Sequence, residues 1–270
     1  MSEAGQHSPW FMPHADQERL IRAGLKPHGG GTHQSKTMML ADLTALMEDG
    51  GFLDPAAAII ERNVLGKPSM RAREVSLKRL RELYGLDIAP PICSALHELW
   101  SRDPGGRPLL ALLCALARDP SLRDGADAVL DAPPGARVRA PAITEAFEER
   151  HPGRLGEKMA QSLARNAAST WTQAGYLEGP IRKVRTRAKP SPAVAAYAAL
   201  IATVCGFGGP ALLECRWLDV LDRPLDDRLS LLRQAEGLGL ARVRAAGSVL
   251  EVEVRQPLAS ALEIPDLVNV

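Results

Sequence analysis

Aromatic side chains are scarce, 4% of the 270 residues, while alanine and leucine abound. That balance argues against a sheet-dominated fold, because aromatic residues favour strands and Ala and Leu favour helices. Net charge is scarce as well: 33 Lys and Arg stand against 32 Asp and Glu, a formal +1. A global polycation is excluded, so an anionic partner has to be met by a local patch. Cysteine is limited to Cys93, Cys114, Cys205 and Cys215, all within apolar runs and none in a CxxC pair. Neither a zinc knuckle nor a disulfide framework is indicated. Cys93 and His97, four apart on an expected helix, read as a packed core pair rather than as metal ligands. Long apolar runs are missing too. The longest, Pro108 to Ala117, is too short to cross a bilayer, and Gln, His and Pro interrupt the start where a signal peptide needs an apolar stretch. The expectation is a soluble, cytoplasmic protein with no membrane contact, and an apolar share of 46% is enough for a real core.

What is present is mainly helical. Residues 1–36 hold Gly29-Gly30-Gly31 and four of the six histidines, with one short amphipathic piece at Asp16–Gly24, and read as a flexible tail. Within it "GGGTHQSKT" has Ser35 where a phosphate loop needs glycine before Lys36, and no apolar strand leads in, so that reading is rejected. Residues 37–137 read as an N-terminal helical bundle. Its expected helices are Met38–Glu48, one from the Asp54-Pro55 start to Gly66, one from the Ser69 cap to Tyr84 and Gly85, Pro91–Arg102, an all-round apolar central helix Pro108–Arg118, and Ser121–Leu130. "DAPPGARV" marks a boundary. Residues 138–190 give a helix Ala142–Arg150, a "HPG" turn, a longer helix Leu155–Ala174, a strand at Tyr176-Leu177 and a basic loop closed by "KPSP". Residues 191–270 give helices Ala193–Cys205, Pro210–Trp217 and Asp226–Leu238, then "LARVRAAGSVLEVEV", which alternates about a Gly-containing turn as a β-hairpin does. Helix, helix, helix, hairpin is a winged-helix order. The fold class expected is mainly α, with winged-helix-like modules carrying small β-hairpin wings.

The chemistry-bearing stretch is "ARNAASTWTQAGYLEGPIRKVRTRAKPSP", Ala164 to Pro192. On the helix Leu155–Ala174 one row, Met159, Leu163, Ala167, Trp171 and Ala174, is the expected core side. The opposite row, Lys158, Gln161, Ser162, Arg165, Ser169, Thr172 and Gln173, has no acid and can donate hydrogen bonds throughout, which suits phosphates and base edges. Arg182, Lys183, Arg185, Arg187 and Lys189 follow where a wing would reach the flanking backbone. A second basic strip, Arg71, Lys78 and Arg81, lies on the Ser69-capped helix, where Glu74 can pair with Lys78. In the C-terminal hairpin Arg242, Arg244 and Arg255 are offset by Glu251 and Glu253, so that module reads as architectural or as a protein-binding surface. No nucleophile stands beside His97 or His151 in a known pattern and no metal-ligand spacing occurs. An enzyme is not expected, and neither is a cofactor.

The stretch "IIERNVLGKPSMRAREVSLKRLRELYG", with its Asn-apolar-Leu-Gly turn, Ser-capped basic helix and Arg-Leu-x-x-Leu-Tyr ending, together with "STWTQAGYLEG" and "GSVLEVEV", resembles the BrxA family of the BREX bacteriophage-defence systems, from about Met38 to Val254. The resemblance implies an all-helical protein of winged-helix character that binds double-stranded DNA without catalysis. It also implies work alongside a methyltransferase, an ATPase and a phosphatase-like protein. It carries nothing over to residues 1–36 and no catalytic residues. The expected function is that of a DNA-binding accessory protein. The rivals are a protein-interaction adaptor, a transcriptional regulator and an RNA-binding bundle, the last disfavoured by few aromatics for stacking bases.

Overall fold

The computed structural model describes residues 9–246 and 249–261. The first group of elements is α1 (Gln17–Ala23), α2 (Leu40–Glu48), α3 (Met70–Tyr84), α4 (Pro91–Arg102), α5 (Arg107–Arg118) and two single turns, α6 (Pro120–Arg123) and α7 (Asp127–Leu130). Next come β1 (Arg137–Val138), α8 (Ala140–Arg150), α9 (Glu157–Gln173), β2 (Leu177–Glu178) and β3 (Lys183–Arg185). The last group is α10 (Pro192–Val204), α11 (Gly209–Glu214), α12 (Arg216–Asp219), α13 (Leu225–Gly237), β4 (Arg242–Ala246), β5 (Val249–Glu253) and α14 (Arg255–Ala261). The described residues are thus mainly helical, with two small antiparallel sheets among them, one of strand order β1-β3-β2 and one pairing β4 with β5. Among the described residues no helix is long and apolar enough to cross a membrane.

Local rules account for several helix ends. The Ser69 side chain accepts the amide of Ala72 at 3.2 Å and starts α3, and Gly85, left-handed at φ 59°, stops it. Ser191 caps α10 in the same way, through the amide of Val194 at 3.1 Å. The helix expected over Ser121–Leu130 is instead two turns broken around Gly125. A Cβ there would sit 2.6 Å from the carbonyl oxygen of Ile143, so the break lets α8 pack against the chain where a side chain could not fit. The segment after Asp54-Pro55 forms a short π-helical turn, Ala57–Glu61, and ends before Gly66. The bend at 63–67 is braced by Asn63, whose side chain accepts the amide of Lys67 at 2.8 Å and donates to its carbonyl at 3.1 Å.

One continuous cluster of buried side chains runs from Trp10 to Ala259, crossing the boundaries expected near 137 and 190. In α5 every residue from Leu109 to Ala117 is buried, as its unbroken apolar run implied. α10 shares the centre: Ala193 to Ala202 are all buried, and the helix packs on α4, α5, α12 and α13. Alanine at most of those positions lets backbones approach closely. The hydroxyl of Tyr197 ties α10 to α4 by donating to the carbonyl of Ile92 at 2.8 Å.

The flexible tail expected over residues 1–36 is corrected for its described part, residues 9–36. Trp10, Leu20, Ala23 and Leu25 are buried, and Trp10 meets Trp217 edge to face with ring centres 4.7 Å apart. The arm is held by two guanidinium groups, that of Arg123 buried and that of Arg118 half-buried. Arg123 donates to the carbonyls of Lys26 and Pro27 at 3.0 and 2.8 Å, and Arg118 to that of Gly24 at 2.6 Å. Composition alone did not reveal this, because the donors lie about a hundred residues downstream. Residues 1–8 and the turn at Gly247-Ser248 lie outside the described residues.

Candidate nucleic-acid interface

Helix α9 carries three stripes. Leu163, Ala167 and Trp171 face the core and are fully buried. Met159, expected on that side, is 42% exposed. The reason is geometric: steps of four residues drift about 40° per step at 3.6 residues per turn, so Met159 lies about 120° around the axis from Trp171. A second stripe is taken by the N-terminal arm. Asn166 donates to the carbonyl of His33 at 3.0 Å, and Gln173 accepts the amide of Leu40 at 3.1 Å. Between them Thr170, wholly buried, meets Nε2 of His33 at 2.8 Å and accepts the amide of Met38 at 2.9 Å. His33 is in turn held through Nδ1 by Asp119 at 2.6 Å. The third stripe faces outward: Lys158, Gln161 and Arg165 are exposed, and Ser162, Ser169 and Thr172 half-buried.

The outward stripe opens on a groove of about 550 Å³ bounded by α9, the start of α8 and the β2–β3 hairpin. Its charged lining is Arg137, Arg139, Arg165 and Lys183, with Ser169 beside them, and no carboxylate is among the lining residues. Strand register brings these cations together from distant positions. β3 lies between β1 and β2, with Arg137 opposite Val184 and Val138 opposite Lys183. Val138 is buried, while Arg137 and Arg139 on either side of it are exposed. Arg139 has one acid within reach, Glu145 at 3.4 Å, both side chains more than half exposed, so solvent screens that pair strongly. The hairpin tip is tight. Gly179 is left-handed at φ 91°, a Cβ on it would lie 2.4 Å from the carbonyl of Arg182, and Nζ of Lys183 donates to the carbonyl of Gly179 at 2.6 Å. Ile181 stands at that tip, 90% exposed, next to exposed Arg182.

The basic run after α9 is not one surface. Arg185, expected to touch DNA, is a correction: it is 2% exposed, and its guanidinium is fully engaged. It donates to Asp222 at 2.8 and 3.2 Å, to the carbonyl of Val129 at 3.0 Å and to the carbonyl of Thr186, and lies over the Tyr176 ring at 4.4 Å. It fastens the sheet to the segment between α12 and α13. Arg187 and Lys189 are exposed but line a different hollow, with Gln173, Leu177 and Glu178. Thr172 returns its hydroxyl to the carbonyl of Ala168 at 2.9 Å. That leaves Lys158, Gln161, Ser162, Arg165, Ser169, Arg182 and Lys183 on or beside the groove side of α9 and the hairpin.

Arg137 and Arg139 were not singled out from the sequence. The signal was present in Arg-Val-Arg just before a helix, too short to read as a strand until its partner is known. On α3, Arg71, Lys78 and Arg81 are exposed. Arg81 pairs with Asp87 at 2.5 Å, and Glu74 stands 3.9 Å from Arg71 rather than pairing with Lys78. In the second sheet Arg242 faces Glu253 and Arg244 faces Glu251, at 3.5 and 3.3 Å, so that hairpin is charge-balanced across its strands.

Elsewhere the titratable groups are built into the fold. Burial alone would raise the pKa of Asp119, but the charge and hydrogen bonds of His33 hold it below the ordinary carboxylate value. Burial pushes the thiols of Cys114 and Cys205 up, and that of Cys215 to about 12. Cys93 and His97 turn to different neighbours: Cys93 lies against Cys114, whereas His97 stacks on Phe52 with ring centres 4.4 Å apart. Among the described residues there is no group of three or more His, Cys, Asp and Glu side chains placed to hold a metal ion. Comparison of the chain with protein-family models, with curated proteins and with solved structures returned no match.

Proposed function

We propose that this chain is a non-catalytic double-stranded DNA-binding protein, and that β1, α8, α9, β2 and β3 act as a winged helix with α9 as the groove-reading helix. The observation that carries the reading is the acid-free groove in which Arg137, Arg139, Arg165 and Lys183 converge, in a chain whose overall charge is close to zero. The order strand-helix-helix-strand-strand with the last strand central supports it, as does the groove that α9 and the β2–β3 tip line together. Cations converging on a groove lined by no carboxylate, with the one nearby acid, Glu145, at the exposed side of Arg139, are met favourably by a partner that brings closely spaced phosphates. Work as an accessory protein of a BREX-type phage-defence system, beside a methyltransferase, an ATPase and a phosphatase-like protein, rests on the sequence resemblance to the BrxA family.

The test is equilibrium binding to a labelled duplex across a range of salt. Phosphate contacts release condensed counterions, so affinity should fall steeply as salt rises. Affinity indifferent to salt, or absent for every duplex, overturns the proposal and favours an adaptor role. For the C-terminal module the balanced Arg242–Glu253 and Arg244–Glu251 pairs favour a protein surface over a nucleic-acid one.

A further inference from the structure

The tip of the β2–β3 hairpin carries an apolar residue where solubility alone would place a polar one. A single exposed aliphatic side chain is ordinary on a protein surface; this one has three further properties. Ile181 is 90% exposed, more than any other large apolar side chain among the described residues that are exposed. It is held in place, because Pro180 fixes the backbone before it, Gly179 closes against the carbonyl of Arg182, and Lys183 ties its ammonium back to Gly179. It is also flanked by cations, with Arg182 next in sequence and Arg137, Arg139 and Lys183 in the groove it borders.

A rigid apolar tip between cations is the chemistry of a minor-groove wedge: the cations follow the two phosphate rails, and the aliphatic group enters between base pairs and unstacks one step. We infer that Ile181 is such a wedge, and that this chain bends the duplex it binds. The inference rests on the DNA-binding reading of the same groove. Its specificity consequence is indirect, since steps that unstack at low cost, pyrimidine–purine steps and mismatches, would be preferred without hydrogen bonds to their bases. Removing the apolar group costs the fold nothing that the structure shows, as Ile181 lies outside the buried cluster.

The experiment uses the full chain and its Ile181→Ala and Ile181→Leu variants with duplexes labelled at both ends for energy transfer. A second set of duplexes carries a fluorescent base analogue at a central step, either matched or mismatched. The parent should shorten the end-to-end distance as a kink of roughly 20–90° does, brighten the unstacked base, and bind the mismatched duplex more tightly. Ile181→Ala should bind with an unchanged salt slope but leave the duplex straight and lose the mismatch preference, and Ile181→Leu should keep both. A parent that binds with its salt slope and leaves DNA straight overturns the wedge alone, as does an Ile181→Ala variant that bends DNA like the parent. A parent that binds no duplex overturns the DNA-binding reading itself.

Discussion

Replacing Arg137, Arg139, Arg182 and Lys183 together by alanine removes the cations that flank the groove while leaving α9 untouched. None of the four side chains belongs to the buried cluster, and the hydrogen bonds lost inside the fold are the one from Lys183 to the carbonyl of Gly179 and the exposed one from Arg139 to Glu145. Arg185 is left out deliberately, because its guanidinium belongs to Asp222 and its loss would confound folding with binding. If each of the four meets one phosphate, the slope of log affinity against log salt flattens by about 3.6, from about 0.9 per contact. Between roughly 50 and 200 mM salt, a slope difference of that size means the parent loses about 150-fold more affinity than the variant. Because Glu145 already stands 3.4 Å from Arg139, that position should contribute the least, and the triple variant retaining Arg139 should recover little. The assay is fluorescence anisotropy of a labelled duplex at several salt concentrations, with far-ultraviolet circular dichroism and melting as controls for folding. A folded quadruple variant with the parent's affinity and slope refutes the groove as the binding face. The exposed strip Arg71, Lys78 and Arg81 on α3 is then the next surface to test.

Three further outcomes follow from the packing. Leu20→Ala, in an arm side chain with no exposure, should cost about 2–5 kcal/mol in urea unfolding, and an unchanged midpoint would mean the arm is not part of the cooperative unit. Arg185→Ala should cost about 3–5 kcal/mol by leaving Asp222 without its buried partner, yet leave the salt slope of DNA binding in the folded fraction unchanged; a lost slope would restore Arg185 to the interface. Asp119 titrates below its ordinary value of 3.8 in the folded chain, so its contribution is present at neutral pH and fades as pH drops through and below that value. The urea midpoint of the parent should therefore fall in that window more steeply than that of Asp119→Asn, and parallel curves would contradict the linkage.

How much of this was legible in the sequence depends on how far apart the deciding residues stand. Helix ends set by neighbours were readable: Ser69 and Gly85 bracket α3, and Pro91 and Arg102 bound α4 where they were expected. The outward stripe of α9 was readable for the most part because helical spacing decides it: Lys158, Gln161 and Arg165 are exposed as the pattern required, whereas Gln173, expected in the same row, turns to the amide of Leu40. Arg185 was misplaced because nothing next to it distinguishes it from Arg182 or Arg187; its partner, Asp222, comes 37 residues later. The arm was misread for the same reason on a larger scale. Its glycines and histidines suggest an unstructured segment, but His33 is 86 residues from Asp119 and 137 from Thr170. Strand β1 escaped notice because two residues are too few to show alternation.

The docked arm also bears on how α9 could serve an interface. A helix that reads a groove has to be fixed in rotation, because turning it by one residue's worth of arc, about 100°, exchanges the outward stripe for another face. The core side fixes α9 only through apolar contacts such as Leu163, Ala167 and Trp171, which tolerate small rotations better than hydrogen bonds do. Asn166, Thr170 and Gln173 add directional bonds to the arm along the adjoining stripe. The chain Asp119–His33–Thr170–Met38 is continuous: Nδ1 of His33 meets Asp119, Nε2 meets the threonine hydroxyl, and the same oxygen accepts the amide of Met38. Every one of these groups is buried, so breaking the chain leaves polar atoms without partners. Polar residues on one side of α9 therefore hold the helix, and those on the next side, Lys158, Gln161, Arg165 and Ser169, are left to meet whatever enters the groove. An acid-free row on a helix says that an anion would be tolerated there; a second polar row locked to the body of the protein says that the first is presented at a fixed angle.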